Sequence, residues 1–185
     1  MSPFPVLVIL GASGSGKSAV ADALGRRLEL RVVEVEAMVA ERAGVPLGEM
    51  MTDSPEDALE ALAVASQDVL AEGGPGAGAI VVLSPSAVLN PGVMEALEAA
   101  KAAGTKVTAL RASLSSLVRR NGLDAIRPTN LGTPRAWFRT QLASLEEAYS
   151  KVTDVWCDTD TCDSAMAARL IAADLGFSFP ARMPD

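Results

Sequence analysis

The sequence predicts an α/β protein, a three-layer sandwich in which a five-stranded parallel sheet carries helices on both faces. Three observations predict it. Apolar runs of strand length, such as Val6-Leu7-Val8-Ile9-Leu10, are continuous rather than alternating, as in strands buried on both faces. Segments of helical period separate these runs along the whole chain, so the strands need crossover connections. The first run leads directly into Gly11-Ala12-Ser13-Gly14-Ser15-Gly16-Lys17-Ser18, which fills every fixed position of G-x-x-x-x-G-K-[ST], the phosphate-binding loop.

After that loop, Ser18 to Leu28 reads as a helix, with Val20, Leu24 and Leu28 on one face. Leu30-Arg31-Val32-Val33-Glu34-Val35 reads as the second strand, with Glu34 and Glu36 at its carboxyl end. Glu36 to Ala43 is helical, Gly44 stops it, and Val45 to Met51 forms a short irregular or helical turn. Ser54-Pro55-Glu56-Asp57 starts a helix with a cap, a proline at the first position and acids in the first turn. It runs to about Ala71 with Leu59, Leu62, Val64, Ala65 and Leu70 as its apolar set. Ala79-Ile80-Val81-Val82-Leu83 is the third strand, ending at Ser84-Pro85-Ser86.

Asn90-Pro91 opens a helix that ends near Gly104, before the strand Lys106-Val107-Thr108-Ala109-Leu110. Leu114 to Arg120 is helical, and Asn121 to Pro134 is a polar stretch with glycines and prolines, long enough to serve as a lid. Arg135 to Ser150 is a helix, Asp154-Val155-Trp156-Cys157 the fifth strand, and Asp163 to Leu175 the last helix. No repeat and no interdomain linker interrupts residues 1–185, which read as one domain.

Composition narrows the chemistry. With 49% hydrophobic and 21% charged residues, the chain is built to bury a core. Sixteen basic residues against 23 acidic give a net charge of −7, which disfavours nucleic acid or an anionic membrane as partner. There is no histidine, which excludes His-based acid–base catalysis, Ser-His triads and most zinc sites. Cys157 and Cys162 have neither zinc nor C-x-x-C spacing and are expected as free thiols of a cytoplasmic protein. A monomer or weak homodimer is expected.

Glycines allow the loop backbone to turn successive N–H groups inward, and the following helix adds its own unpaired donors and dipole. Gly11, Ser13, Gly14, Ser15, Gly16 and Ala19 would cradle phosphates, Lys17 would reach the terminal ones, and Ser18 would ligate Mg²⁺. Glu34 and Glu36, at i and i+2, would project to one side of a strand end beside the loop. Glu34 would then serve Mg²⁺, and Glu36 would orient or deprotonate an attacking hydroxyl. Arg127, in the flexible stretch, would close over the transferring phosphoryl group.

Over about Val6 to Leu175 the chain resembles the shikimate kinase family of nucleoside-monophosphate-kinase-like proteins. The resemblance lies in Gly14-Ser15-Gly16-Lys17-Ser18, Glu41-Arg42-Ala43-Gly44, Val118-Arg119-Arg120-Asn121-Gly122 with Arg127-Pro128, and Ala148 to Asp154. It implies a five-stranded parallel sheet, ATP and Mg²⁺ as cofactors, Arg120 against adenine and Arg127 as the lid arginine. It also implies transfer of phosphate to a hydroxyl of a small metabolite.

The acceptor half departs from the family pattern. The family's Asp-x-Asp is Glu34-x-Glu36, its third-helix arginine falls on Glu60, and its Gly-Gly-Gly loop on Ser84-Pro85-Ser86. Its second carboxylate-binding arginine falls on Leu145 or Glu146, leaving Arg42, Arg111, Arg135 and Arg139 as possible replacements. These departures predict a neutral or cationic acceptor in place of shikimate. The alternative is a nucleotide-binding module with little or no catalysis.

Overall fold

The computed structural model describes residues 2–122 and 134–178. Five parallel strands, β1 (Leu7–Gly11), β2 (Val32–Glu34), β3 (Ile80–Val82), β4 (Lys106–Arg111) and β5 (Val155–Asp158), form one sheet in the order β2-β3-β1-β4-β5. Eight described helices connect and cover them: α1 (Lys17–Leu28), α2 (Val35–Ala43), α3 (Leu47–Asp53), α4 (Pro55–Leu70), α5 (Pro91–Ala102), α6 (Leu114–Arg120), α7 (Pro134–Ser150) and α8 (Ser164–Asp174). The expected α/β sandwich with a five-stranded parallel sheet is therefore the observed one.

The continuous apolar runs follow from burial on both faces. Val8 and Leu10 of β1 point into a core shared with α2, α4, α5 and α7. Leu7 and Ile9 point into the opposite core, built with α1 and α8. All four are at most 1% exposed. Alternate residues thus feed different layers, the period-2 geometry of a pleated strand. The connection from β1 runs to β2 on one side of the sheet, while that from its neighbour β4 runs to β5 on the other, so connections diverge at the carboxyl end of β1. That switch point is where such sheets open a crevice for ligands, and the phosphate loop occupies it.

Several local expectations are corrected. The second strand spans Val32–Glu34, not Leu30 to Val35, because Val35 and Val39 begin α2 and are buried one turn apart. Glu34 is consequently the residue capping α2 and Glu36 lies in its first turn, so they are not alternate residues of one strand. In α4, Leu59 and Val64 are 45% and 50% exposed. The buried stripe is Ala58, Leu62, Ala65 and Val69, with Ala63, Ser66 and Leu70 beside it. Alanine lets α4 pack closely, and an alanine-rich helix hides which face is apolar.

Ser54 precedes α4 as expected but makes no side-chain cap bond, whereas Asn90, Ser113 and Asp163 do accept from the first turns of α5, α6 and α8. The turn expected over Val45 to Met51 is helix α3, and a 3₁₀ turn, Ala87–Leu89, follows β3 unforeseen. Most of the expected lid, residues 123–133 with Arg127, lies outside the described residues. Cys157 and Cys162 are free thiols, and burial pushes the Cys157 thiol up to about 11. Among the described residues, no helix is long and apolar enough to cross a membrane.

Candidate active site

The loop from Gly11 to Gly16 turns on glycines at two demanding places. Gly11 (φ +151°) leaves no room for a side chain, since a Cβ there would lie 2.6 Å from Ser15 Oγ. Gly14 (φ +79°) is in the left-handed region, and a Cβ there would lie 2.7 Å from Asn121 Nδ2. Both positions therefore need glycine for space as well as for conformation. Ser15 is fully buried under the loop, and its hydroxyl has no hydrogen-bond partner among the described residues.

Lys17, the first residue of α1, folds back along the loop. Its Nζ donates to Gly11 O at 3.0 Å and Ala12 O at 3.4 Å. Burial holds its pKa below the ordinary lysine value, opposed by the negative charges of Glu36 and Glu34. The next residue, Ser18, donates its hydroxyl to Glu34 Oε2 at 3.1 Å. A cleft of about 410 Å³ opens here, lined by Lys17, Ser18, Glu34, Glu36, Leu83 and Pro85 together with the loop. Glu34 and Glu36 thus meet in one cleft by a route other than strand alternation, one from the helix cap and one from the first turn.

The wall of this cleft opposite the loop is acidic and apolar, formed by Glu34, Glu36, Val82, Leu83 and Pro85. Tyr149 is buried and donates its hydroxyl to Pro85 O at 2.8 Å, and burial raises its pKa. Leu145 packs against the core. Glu146 pairs with Arg111 at 3.5 Å, and the Arg111 guanidinium lies 4.4 Å from the Trp156 ring centroid. Arg42 pairs with Asp68 at 3.4 Å. Neither arginine lines the cleft. Glu60 does not line it either; it borders a separate groove of about 440 Å³ between α2, α3 and α4, which corrects its expected place near the acceptor.

On the other flank of the loop lies a second cavity of about 260 Å³. It is lined by Ser15, Gly16, Ala19, Arg120, Thr159 and Cys162, among others. Arg120, the last residue of α6, donates to Gly14 O at 3.1 Å, Thr159 Oγ1 at 3.3 Å and Thr159 O at 3.0 Å. The arginine therefore sits beside the loop and borders this cavity. Thr159 and Asn121 were not anticipated as site residues. The carboxyl-end rule for parallel sheets points to Thr159, which directly follows β5, but no local pattern marks it.

A phosphate loop at a sheet switch point, with carboxylates across a cleft from its lysine, defines a P-loop nucleotide-binding protein. A family model described as shikimate kinase matches residues 13–175. The shikimate kinase of Thermobifida fusca (strain YX) is 31% identical over 175 residues, 95% of this chain and 97% of that protein. The shikimate kinase of Salinispora arenicola (strain CNS-205) is 34% identical over 159 residues, covering 84% and 89%. Among solved structures, shikimate kinase from Acinetobacter baumannii in complex with shikimate superposes with a TM-score of 0.77 at 16% identity, covering 94% of each chain. A gluconokinase from Sinorhizobium meliloti 1021 gives 0.59 at 22% identity, covering 95% and 94%. The chain belongs to the shikimate kinase family. It is an ATP-dependent small-molecule kinase whose acceptor group is a hydroxyl.

Proposed function

We propose that this kinase transfers the terminal phosphoryl group of ATP to a hydroxyl of a small metabolite that carries no carboxylate. The observation that carries the reading is the cleft itself. Lys17, Ser18, Glu34 and Glu36 face one space whose other walls are the phosphate loop and the apolar Val82, Leu83 and Pro85, with no arginine among its described lining residues. A bound carboxylate there would meet two glutamates, and the nearby arginines Arg42 and Arg111 are held by Asp68 and Glu146. Arginine forks are the usual partners of a carboxylate, and like charges in a confined cleft are strongly unfavourable.

Each residue has a distinct task. Lys17 binds the phosphates and stabilises the charge that spreads over the transferring group. Glu36 orients the acceptor hydroxyl and receives its proton. Arg120, with Ala19 and Gly16, flanks the cavity on the far side of the loop and supports the base of the nucleotide. Arg127 remains proposed as the residue that covers the phosphates.

The family also implies Mg²⁺, and the donor set fits it. Ser18 Oγ and a Glu34 carboxylate oxygen lie 3.1 Å apart, both hard oxygen donors at the phosphate end of the cleft. Magnesium in kinase sites takes one or two protein oxygens and draws the rest from phosphates and water. Ser18 and Glu34 would hold the ion, which when bound neutralises phosphate charge.

The test is ADP release from Mg-ATP with shikimate, with uncharged polyols and with amine-bearing polyols, using Lys17→Ala as the blank. Stimulation by a polyol or aminopolyol, and none by shikimate, is the expected result. Stimulation by shikimate overturns the proposed acceptor class while leaving the kinase intact. Nucleotide binding with no stimulation by any acceptor would instead favour the non-catalytic binding module.

A further inference from the structure

The outward carbonyls of the phosphate loop are held by side chains distant in sequence. Asn121 Nδ2 donates to Ser13 O at 2.9 Å, Arg120 Nη1 to Gly14 O at 3.1 Å, and Thr159 Oγ1 to Ser15 O at 2.9 Å. Three consecutive carbonyls of the loop are thus each taken by a donor 106 to 144 residues away. The bond from Asn121 is returned, since Ser13 Oγ donates to Asn121 Oδ1 at 2.7 Å. Asn121 is itself anchored by a second donation, from Nδ2 to Leu117 O at 2.8 Å, one turn back in α6. Lys17 takes the two preceding carbonyls, Gly11 O and Ala12 O.

We infer that Asn121, Arg120 and Thr159 are positioning residues that hold the phosphate loop in its anion-binding shape by turning its carbonyls away from the cleft. The inference rests on the reading of this loop as a nucleotide phosphate site. The physical argument is peptide planarity. The C=O of one residue and the N–H of the next point in opposite directions across a rigid plane. Fixing Ser13 O and Ser15 O on the outside fixes the N–H groups of Gly14 and Gly16 on the side facing the cleft, which both residues line. Ser15 N–H is engaged within the loop, donating to Ala12 O at 3.1 Å.

Without external donors, a loop containing three glycines has many other conformations, including ones that present a carbonyl oxygen to a phosphate. Preorganisation then has to be supplied by the ligand, which weakens its binding. Thr159 is central to the arrangement, because its hydroxyl donates to Ser15 O and accepts from Arg120 Nη1. The one proton on that hydroxyl has an alternative acceptor in Arg111 O, but at 3.3 Å this is the longer contact. Nucleotide affinity is accordingly coupled to the end of α6 and to the segment after β5.

Thr159→Val keeps the shape of the buried side chain and removes both bonds, while Thr159→Ser keeps the hydroxyl. Direct binding of Mg-ATP and of magnesium tripolyphosphate, a probe with no base, reads the loop itself. The expected result is about tenfold weaker binding of both to Thr159→Val, equivalent to about 1.4 kcal/mol. Thr159→Ser should stay within about twofold of the unsubstituted protein. Asn121→Ala, at a partly exposed position, should weaken both probes in the same direction and serves if Thr159→Val does not fold. Unchanged affinities in the variants overturn the inference and leave the kinase reading standing. Weakened ATP binding with unchanged tripolyphosphate also overturns it, by assigning Thr159 to the base cavity. Failure of the unsubstituted protein to bind either probe would sink the phosphate-loop reading itself.

Discussion

The two halves of the cleft are built on different principles. On the nucleotide side, the loop backbone makes the site, and its carbonyls are held by Asn121, Arg120, Thr159 and Lys17. On the opposite side of the cleft, individual side chains form the wall: Glu36, Val82, Leu83 and Pro85, with Tyr149 behind Pro85. A backbone site tolerates little change in the loop, because any residue with a Cβ at Gly11 or Gly14 collides with its neighbours. A side-chain site can be rewritten one residue at a time without disturbing the sheet. The residues that depart from the family pattern, Glu34, Glu36 and Ser84-Pro85-Ser86, accordingly lie outside the phosphate loop, which keeps the family sequence.

The strongest way to break this contrast is Glu36→Gln, which removes a base while keeping shape. The turnover number should fall by about a hundredfold or more, the range of a lost general base. Nucleotide affinity should not weaken, since a negative charge has been removed from beside the phosphates. Kinetics with whichever acceptor stimulates ADP release, alongside direct ATP binding, checks both halves at once. A loss of ATP affinity equal to the loss of turnover would show that the two halves are not separable.

The depressed pKa of Lys17 sharpens the contrast from the nucleotide side. Burial disfavours its charged form in the ligand-free fold, so stability from this residue rises as pH rises through its lowered pKa toward the ordinary 10.5. Over the same interval the loop loses its cation, so Mg-ATP affinity should fall with rising pH before an ordinary lysine would titrate. Lys17→Arg keeps the charge and should flatten that dependence in a binding titration. A variant that shows the same decline as the unsubstituted protein would assign the effect to another group.

The smallest effect is expected on the acceptor wall. Tyr149→Phe leaves Pro85 O without its 2.8 Å partner while keeping the buried ring. A loss of about 1 kcal/mol is expected, seen as a fall in Tm of about 2–4 °C. The same hydroxyl meets the backbone of Gly11 at the start of the phosphate loop, so ATP affinity should fall slightly, by less than about twofold. An unchanged Tm would mean that neither contact adds to the stability of the fold.

Some of this was readable from sequence and some was not, for identifiable reasons. The loop, its strand and α1 were legible because glycine, lysine and serine are demanded there at fixed spacing. The ends of α2 and α6 were legible because Gly44 and Asn121-Gly122 stop a helix locally. The buried face of α4 was legible in part: Leu62, Ala65 and Leu70 are buried as expected, whereas Leu59 and Val64 are exposed, because an alanine-rich helix marks its phase only loosely. Glu60, placed near the acceptor by its correspondence to a family arginine, borders another groove, since a position along the chain does not fix which groove a helical side chain enters.

By itself, the sequence determined the class of fold, the phosphate loop and the carboxylates that accompany it. Those features follow from local rules: strand burial, helix period and the backbone freedom of glycine. The tertiary structure alone decided which donors hold Ser13, Gly14 and Ser15, and that Arg42 and Arg111 pair with Asp68 and Glu146. Those are contacts between segments up to 144 residues apart, and a hydrogen bond depends on the final distance between two groups, which no local pattern encodes.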